Sequence, residues 1–442
     1  MKLITTTIQG ENPITRESVP HWIKDRDDLE QQVVNVYPQI TFQRFDGFGG
    51  AVTQASAWVL MQMPADVRAR ILDRCFGPDG LSYSWCRVPI DSCDFSTGHY
   101  CADDDPADED LVKFSVAHDE REILPILREA QRRNPDLKLM LSPWSPPAYM
   151  KTNQDRNHGG KLLPQYRQRW ARYLCRYIQA YQDLGFPVAA LSVQNEPNAC
   201  QTWDSCMYSP EEELSFVRDV LGPALHEAGL GDVTLLIWDH NKERLFERTE
   251  TICSDTGANA YVGGCAFHWY TGDHFEALNL VERLYPGKKL FYTEGCVEYS
   301  RFAKDQAANA RMYAHDIIGN LNGGVHVSLD WNIVLDHSGG PNHVGNFCDA
   351  PVMCHIEKGT AEERLTFKYL EHFSKYIHPE AVRIGFTRYT DQLEMTAFRN
   401  PDDTYAVILY VPGRSELPVT LRFGGQALML TLPGESISTL IW

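Results

Sequence analysis

A chain of 442 residues can bury a large core, and 43% hydrophobic with 23% charged residues excludes disorder, collagen-like repeats and coiled coil. Lys and Arg total 41 against 59 Asp and Glu, a net charge of −18, so polyphosphates and anionic membrane surfaces are excluded as default partners. No apolar run approaches the roughly 20 residues needed to span a bilayer, and twelve cysteines spread along so long a chain do not make a disulfide framework. The start MKLITTTIQGENP lacks an apolar signal-peptide core, so a cytoplasmic protein with reduced thiols is expected.

Taken in chain order, residues 1–30 are polar and aperiodic, with Pro13 and Pro20, and read as a surface arm. Residues 32–37 and 40–42 look like strands, and 31–45 is assigned to a β-domain. From 46 to 378 short apolar runs alternate with long helical patterns. Strands are predicted at 47–52, 85–90, 137–142, 188–193, 233–238, 266–270, 289–292 and 324–329. Helices are predicted at 65–75, 120–133, 165–184, 210–228, 275–284 and 305–321, where apolar residues recur at three and four. Pro210 before Glu211, Glu212 and Glu213 is a good helix start. Eight βα units on this scale predict a (β/α)₈ barrel. From 379 to 442 the turns Asn400-Pro401, Pro412-Gly413, Gly424-Gly425 and Pro433-Gly434 punctuate alternating strands. The fold class is therefore α/β, a TIM barrel with an attached antiparallel β-sandwich built from both chain ends.

Barrel enzymes place their chemistry at the C-terminal ends of the strands. Here those ends offer Arg87, Asp91, Trp144, Asn195, Glu196, Asp239, His240, His268, Trp269, Tyr270, Glu294, Asp330 and Trp331. Glu196 and Glu294 end the fourth and seventh strands, on opposite sides of the mouth. Each alone could be a loop carboxylate paired to arginine; the two together suit glycoside hydrolysis, with one protonating the leaving oxygen while the other attacks the anomeric carbon or activates water. Arg87 can charge-pair a nucleophilic carboxylate, and Glu196, in a more apolar setting, is expected to stay protonated as the acid. Trp144, Trp269 and Trp331 can wall a sugar site or simply pack the rim. His268 and His274 with Asp239 and His240 lack the spacing of a metal motif, and the cysteine pairs 200/206 and 348/354 lack a zinc spacing, so no metal is expected. Gly47-Phe48-Gly49-Gly50 is not a phosphate loop, and no G-x-S-x-G elbow supports a serine triad.

These segments together resemble glycoside hydrolase family 30, in its glucosylceramidase branch. They include Phe45-Asp46-Gly47-Phe48-Gly49-Gly50-Ala51, Arg87-Val88-Pro89, Ser92-Cys93-Asp94-Phe95-Ser96, Ser142-Pro143-Trp144 and Gln194-Asn195-Glu196-Pro197. They continue with His268-Trp269-Tyr270, Thr293-Glu294-Gly295-Cys296, Asp330-Trp331-Asn332 and Gly339-Gly340-Pro341-Asn342 running to Asn346. The resemblance implies retention of configuration, Glu196 as acid/base and Glu294 as nucleophile. It also implies Arg87 and Tyr270 as partners of Glu294, Asn195 as the contact to the sugar 2-hydroxyl, and Trp144, Trp269, Trp331 and Asn346 as the lining of a glucose pocket. One departure is Gln54, which stands where the branch carries an aspartate. If it reads the distal hydroxyls of the sugar, an amide in place of a carboxylate alters that readout. The implied activity is an exo-acting β-glucosidase or glucosylceramidase. A β-xylosidase, β-fucosidase or endo-β-glucanase is the second reading, and a non-catalytic carbohydrate-binding barrel the remote one. The implied partner is a β-linked glycoside or glycolipid; no cofactor and no nucleic acid is implied.

Overall fold

The structure, a computed structural model, describes residues 1–9, 12–26, 28–302 and 305–442. Eight parallel strands close into a barrel: β1 (Gly47–Ala51), β2 (Trp85–Ile90), β3 (Lys138–Pro143), β4 (Val188–Ser192), β5 (Thr234–Asn241), β6 (Val262–His268), β7 (Lys289–Glu294) and β8 (Val327–Asp330). Their inward side chains make a packed interior of Trp85, Met140, Ala190, Leu236, Ala266, Phe291, Val327 and Leu329. Trp85 is accommodated because three of the five residues of β1 are glycine: a Cβ on Gly49 would lie 2.1 Å from the Trp85 carbonyl oxygen.

All eight predicted strands lie on barrel strands, with the largest slip at β6. It begins at Val262, four residues before the predicted start, and Trp269 and Tyr270 lie beyond its end. Gly263 and Gly264 carry little strand propensity, yet a Cβ on Gly264 would meet the Lys289 carbonyl at 2.5 Å, so close packing against β7 selects glycine there. The predicted helix 210–228 is also modified. Pro210–Phe216 is α-helical and opens with a capping box between Ser209 and Glu212, Val217–Leu221 is a π-turn, and Gly222–Glu227 resumes the α-helix. Pro223 has no N–H to donate, and a widened turn absorbs the missing bond.

The second unit is a ten-stranded sheet that folds around a core including Val34, Val36, Ile384, Met395, Leu409, Leu421, Leu428 and Leu440. Val33–Arg44 is one bent strand rather than two. It pairs antiparallel with Val382–Thr387, with register shifts, and parallel with Leu417–Phe423. The arm expected over residues 1–30 is instead largely ordered sheet. Lys2–Gln9 pairs with Asn12–Ser18 and with the last strand, Ser436–Ile441. Thr5, Thr6 and Thr7 favour extended backbone without an apolar alternation, so the pairing depends on a partner more than 400 residues away. Thr6 is buried because His372, on the helix Leu365–Ser374, bonds it at 2.8 Å and Thr439 at 2.8 Å, tying barrel to sandwich. Burial pushes His372 down to about 3, so it serves as a neutral hydrogen-bonding link. Among the described residues no helix is long and apolar enough to cross a membrane, and all twelve cysteines are free thiols.

Candidate active site

Arg87 sits inside β2 with no exposed surface and spends all five guanidinium N–H groups. It donates to Glu294 Oε2 at 2.6 Å, Asn195 Oδ1 at 2.8 Å, Asp239 Oδ2 at 2.9 Å, Ser142 Oγ at 3.1 Å and the Thr293 carbonyl at 3.3 Å. Its planar face lies 4.8 Å from the Trp144 ring and 5.4 Å from that of Trp331. One cation thus fixes residues from the ends of β3, β4, β5 and β7.

Around it the carboxylates divide by their partners. Glu294 ends β7 and accepts a second bond, from Tyr270 OH at 2.8 Å, on Oε1. Asp239 accepts from Thr293 Oγ1 at 2.6 Å and faces His268 Nε2 at 3.1 Å. Burial alone would raise the Asp239 carboxyl, but Arg87 and His268 outweigh it and hold the group below the usual carboxylate range. Glu196 follows β4 in a left-handed conformation, φ +47°, and Asp239 has φ +52°. The Glu196 amide bonds the Asp239 carbonyl at 2.9 Å, so one strained pair supports the other.

His268, at the end of β6, is fully buried between these acids. Its Nδ1 lies 3.4 Å from Glu196 Oε1 and 3.9 Å from Glu294 Oε1. Burial lowers the imidazole pKa, but Glu294, Asp239 and Glu196 together raise it to about 9, so it carries the positive charge at neutral pH. This corrects the expectation of an apolar, protonated Glu196. Burial does push that carboxyl up, but His240 at 3.8 Å, His268 and Arg87 outweigh it and hold it low. The dissociable proton of the resting site belongs to the Glu196–His268 pair and resides on the imidazole. One oxygen of Glu196 and one of Glu294 lie within 4.8 Å of each other.

The cavity above these acids holds about 250 Å³ and is lined by Trp144, Asn195, Glu196, Tyr270, Glu294, Trp331 and Asn346 among others. Trp144 and Trp331 stack at 5.2 Å to form an aromatic wall. Two residues expected at the sugar are elsewhere. Trp269 donates its Nε1–H to the Cys296 carbonyl at 3.2 Å and packs edge-on against Tyr313 at 4.8 Å, behind the wall. Gln54 spends Nε2 on His118 at 3.0 Å and Oε1 on the Thr97 amide at 3.1 Å, bracing the loop after β2.

A further carboxylate in the cavity is Asp94, on that same loop, which sequence reasoning quoted without giving it a role. It accepts bonds from Asn342 Nδ2 at 3.2 Å and Asn346 Nδ2 at 3.4 Å. Burial, with the Glu294 and Glu196 charges adding, pushes it up to about 8. It lies four residues past the end of β2, within the strand-end region where catalytic barrels carry function. Gln54→Asp is therefore expected to leave the ratio of aryl glucoside to aryl xyloside turnover unchanged while costing about 1–3 kcal/mol of stability through the lost brace. Asp94→Asn is expected to change the ratio. A panel of aryl glycosides and a denaturant titration of each variant check both outcomes.

Residues 45–377 match the Glycosyl hydrolase family 30 TIM-barrel domain, and residues 380–440 the Glycosyl hydrolase family 30 beta sandwich domain. The lysosomal acid glucosylceramidase of Mus musculus is 32% identical over 431 residues, covering 93% of this chain and 83% of the relative. SrfJ from Salmonella typhimurium superposes with a TM-score of 0.95 at 37% identity, covering 100% of this chain and 99% of the other. The endo-β1,6-glucanase BT3312 does so at 0.90 and 28%, with the same coverage. With both of its domains matched in order and two carboxylates facing each other across the barrel mouth, the chain belongs to glycosyl hydrolase family 30 and is an O-glycosyl hydrolase.

Proposed function

We propose that the chain is a retaining, exo-acting β-glucosidase of glucosylceramidase type. The observation that carries this reading is the spacing of Glu196 and Glu294. Oxygens within 4.8 Å of each other suit the ~5–5.5 Å carboxyl separation of a nucleophile and an acid/base, and are closer than the ~6.5–9.5 Å separation of an inverting pair. Glu294 attacks the anomeric carbon as the leaving oxygen takes the pair's proton through Glu196, to which His268 Nδ1 passes it across 3.4 Å. Glu196 then removes a proton from water, which attacks the same carbon and releases Glu294. Asn195, its Oδ1 held by Arg87, would bond the 2-hydroxyl through its free amide group, and the cavity has room for one pyranose ring and the atoms next to it. NMR of the first product from an aryl β-glucoside is expected to show the β-anomer; α-anomer formed first would overturn retention.

A polar mouth favours a second reading. Gln201, Asn241, Glu298 and Arg301 border the cavity, chemistry that suits a sugar as leaving group. Both BT3312 and a 28% identical Aspergillus fumigatus relative are described as endo-1,6-glucanases. Product analysis on glucosylceramide, cellobiose, xylobiose and a β-1,6-glucan separates the two readings. Single glucose release from the first two supports the exo reading; internal cleavage of the glucan supports the other.

Proton supply is tested at His268. The pair holds its proton up to about pH 9, because the imidazole does. In His268→Gln, Glu196 must hold the proton alone, and it leaves at lower pH. The alkaline limb of kcat/KM is expected to fall by more than about one pH unit. An unmoved limb would place the proton elsewhere.

A further inference from the structure

We propose that His99, Asp204 and His343 form a binding site for a divalent transition metal, zinc being the best suited, which staples together three of the loops that wall the sugar cavity. The three residues come from separate segments: His99 from the loop after β2 that carries Asp94, Asp204 from the loop after β4 that carries Trp203, and His343 from the loop after β8 that carries Asn346. Their donor atoms all lie within 4.8 Å of one another. Asp204 Oδ2 is 3.6 Å from His99 Nε2 and 3.6 Å from His343 Nε2.

Hydrogen bonding around the cluster aims these atoms at a common point. Asp204 is fully buried, and its Oδ1 is already occupied by Arg156 Nε at 2.7 Å and Ser92 Oγ at 2.9 Å. Its Oδ2 is buried with no hydrogen-bond partner, and so is His343 Nε2. His343 Nδ1 lies 3.3 Å from the Ser96 carbonyl, a bond that only an Nδ1–H can make. In the neutral ring the Nε2 lone pair then faces the lone pairs of Oδ2. Two buried acceptors facing each other at 3.6 Å call for a cation or a donor between them. A monodentate carboxylate with its second oxygen hydrogen-bonded, and an imidazole whose other nitrogen donates to a carbonyl, are the outer contacts that orient metal ligands. His99 is 40% exposed and provides both an entry path and the freedom to close up. Two imidazoles and a carboxylate with a water in the fourth position suit Zn²⁺ at ~2.0–2.2 Å, and the ligands need to draw together by modest side-chain movement.

The consequence for the sugar site runs through the backbone. The His343 amide bonds the Asp94 carbonyl at 3.2 Å, and Asn342 and Asn346, on either side of His343, both bond the Asp94 carboxylate. A metal at His343 therefore braces the loop that positions Asp94.

The test is calorimetric titration of the chelator-stripped full chain with ZnCl₂ at about pH 7.5. One site of micromolar or tighter affinity is expected, weakening at acid pH as the imidazoles protonate. His343→Ala and His99→Gln are each expected to weaken it at least ~10-fold. Cys200→Ser, which removes the exposed thiol, is expected to leave it unchanged. Saturating Zn²⁺ is expected to raise the melting temperature of the wild type and not of either histidine variant. His99→Gln alters only an exposed ring, so its melting temperature without metal separates lost ligation from lost folding. No binding at about 100 μM Zn²⁺, or equal binding by wild type and both histidine variants, would overturn the proposal and leave the cluster as a histidine–aspartate ion pair.

Discussion

Glu294→Ala is expected to lower turnover of an aryl β-glucoside by about 10⁴–10⁶-fold, the scale on which removing a covalent nucleophile is felt. Alanine is the cleaner change. In Glu294→Gln one of two acceptor oxygens becomes an NH₂ group, which would face the Arg87 Nη1 donor at one position and at the other would make the Tyr270 hydroxyl turn round to accept. Azide supplied to the Glu294→Ala variant can enter the space left by the carboxylate and attack from that face, giving a glycosyl azide of inverted configuration. Azide supplied to Glu196→Ala meets an intact Glu294 and attacks the glycosyl-enzyme from the opposite face, giving the retained product. The two azide products, resolved by NMR, assign the two roles independently of any rate. Wild-type activity in Glu294→Ala, or the opposite pairing of azide products, would remove the nucleophile from Glu294.

How much of this site could be read from sequence depends on which kind of information each residue carries. Arg87, Glu196 and Glu294 were legible because a charged residue within or ending an apolar strand is conspicuous, and barrel topology turns strand ends into neighbours. Tyr270 and Trp331 were legible through the resemblance. Gln54 was misplaced because proximity in the chain to the glycine-rich β1 says nothing of side-chain direction. The helix Gln54–Gln62 turns it toward His118 and the loop after β2. Asp94 went unassigned for the opposite reason: its position beyond β2 was visible, but the fold-back of the 339–348 segment that makes it a pocket residue was not. The His268 charge state could not be read at all, since it arises from three carboxylates brought together by β4, β5 and β7. The same limit hid the N-terminal hairpin, whose Thr6 becomes interior only when Ser436–Ile441 and His372 arrive from the far end of the chain.

Arg87→Met is expected to produce the largest loss of stability of any single change at the site, about 3–5 kcal/mol, because it leaves buried charges without their partner. Arg87 and Asp239 are both fully buried, and the Glu294 side chain is only 9% exposed, so water cannot replace the guanidinium. Arg87→Lys is expected to fall between: a point charge with three donors cannot serve Ser142, Asn195, Asp239, Glu294 and the Thr293 carbonyl at once. The effect has a predictable pH dependence. In the wild type the Asp239 carboxyl is held below its unfolded value, so its contribution is present above about pH 4 and lost as the pH falls further. In Arg87→Met burial is opposed by His268 and the Thr293 hydroxyl without the guanidinium, the Asp239 carboxyl rises, and protonation relieves the variant first. The difference in unfolding free energy between wild type and Arg87→Met should therefore shrink from pH 7 toward pH 5. Urea unfolding at the two pH values measures it. A difference that stays constant would mean that the loss comes from the missing contacts with Trp144 and Trp331 rather than from uncompensated charge. The activity of Arg87→Lys separates the two further, since a retained charge with lost geometry should lower kcat through a misaligned Glu294 and Asn195 while sparing much of the stability.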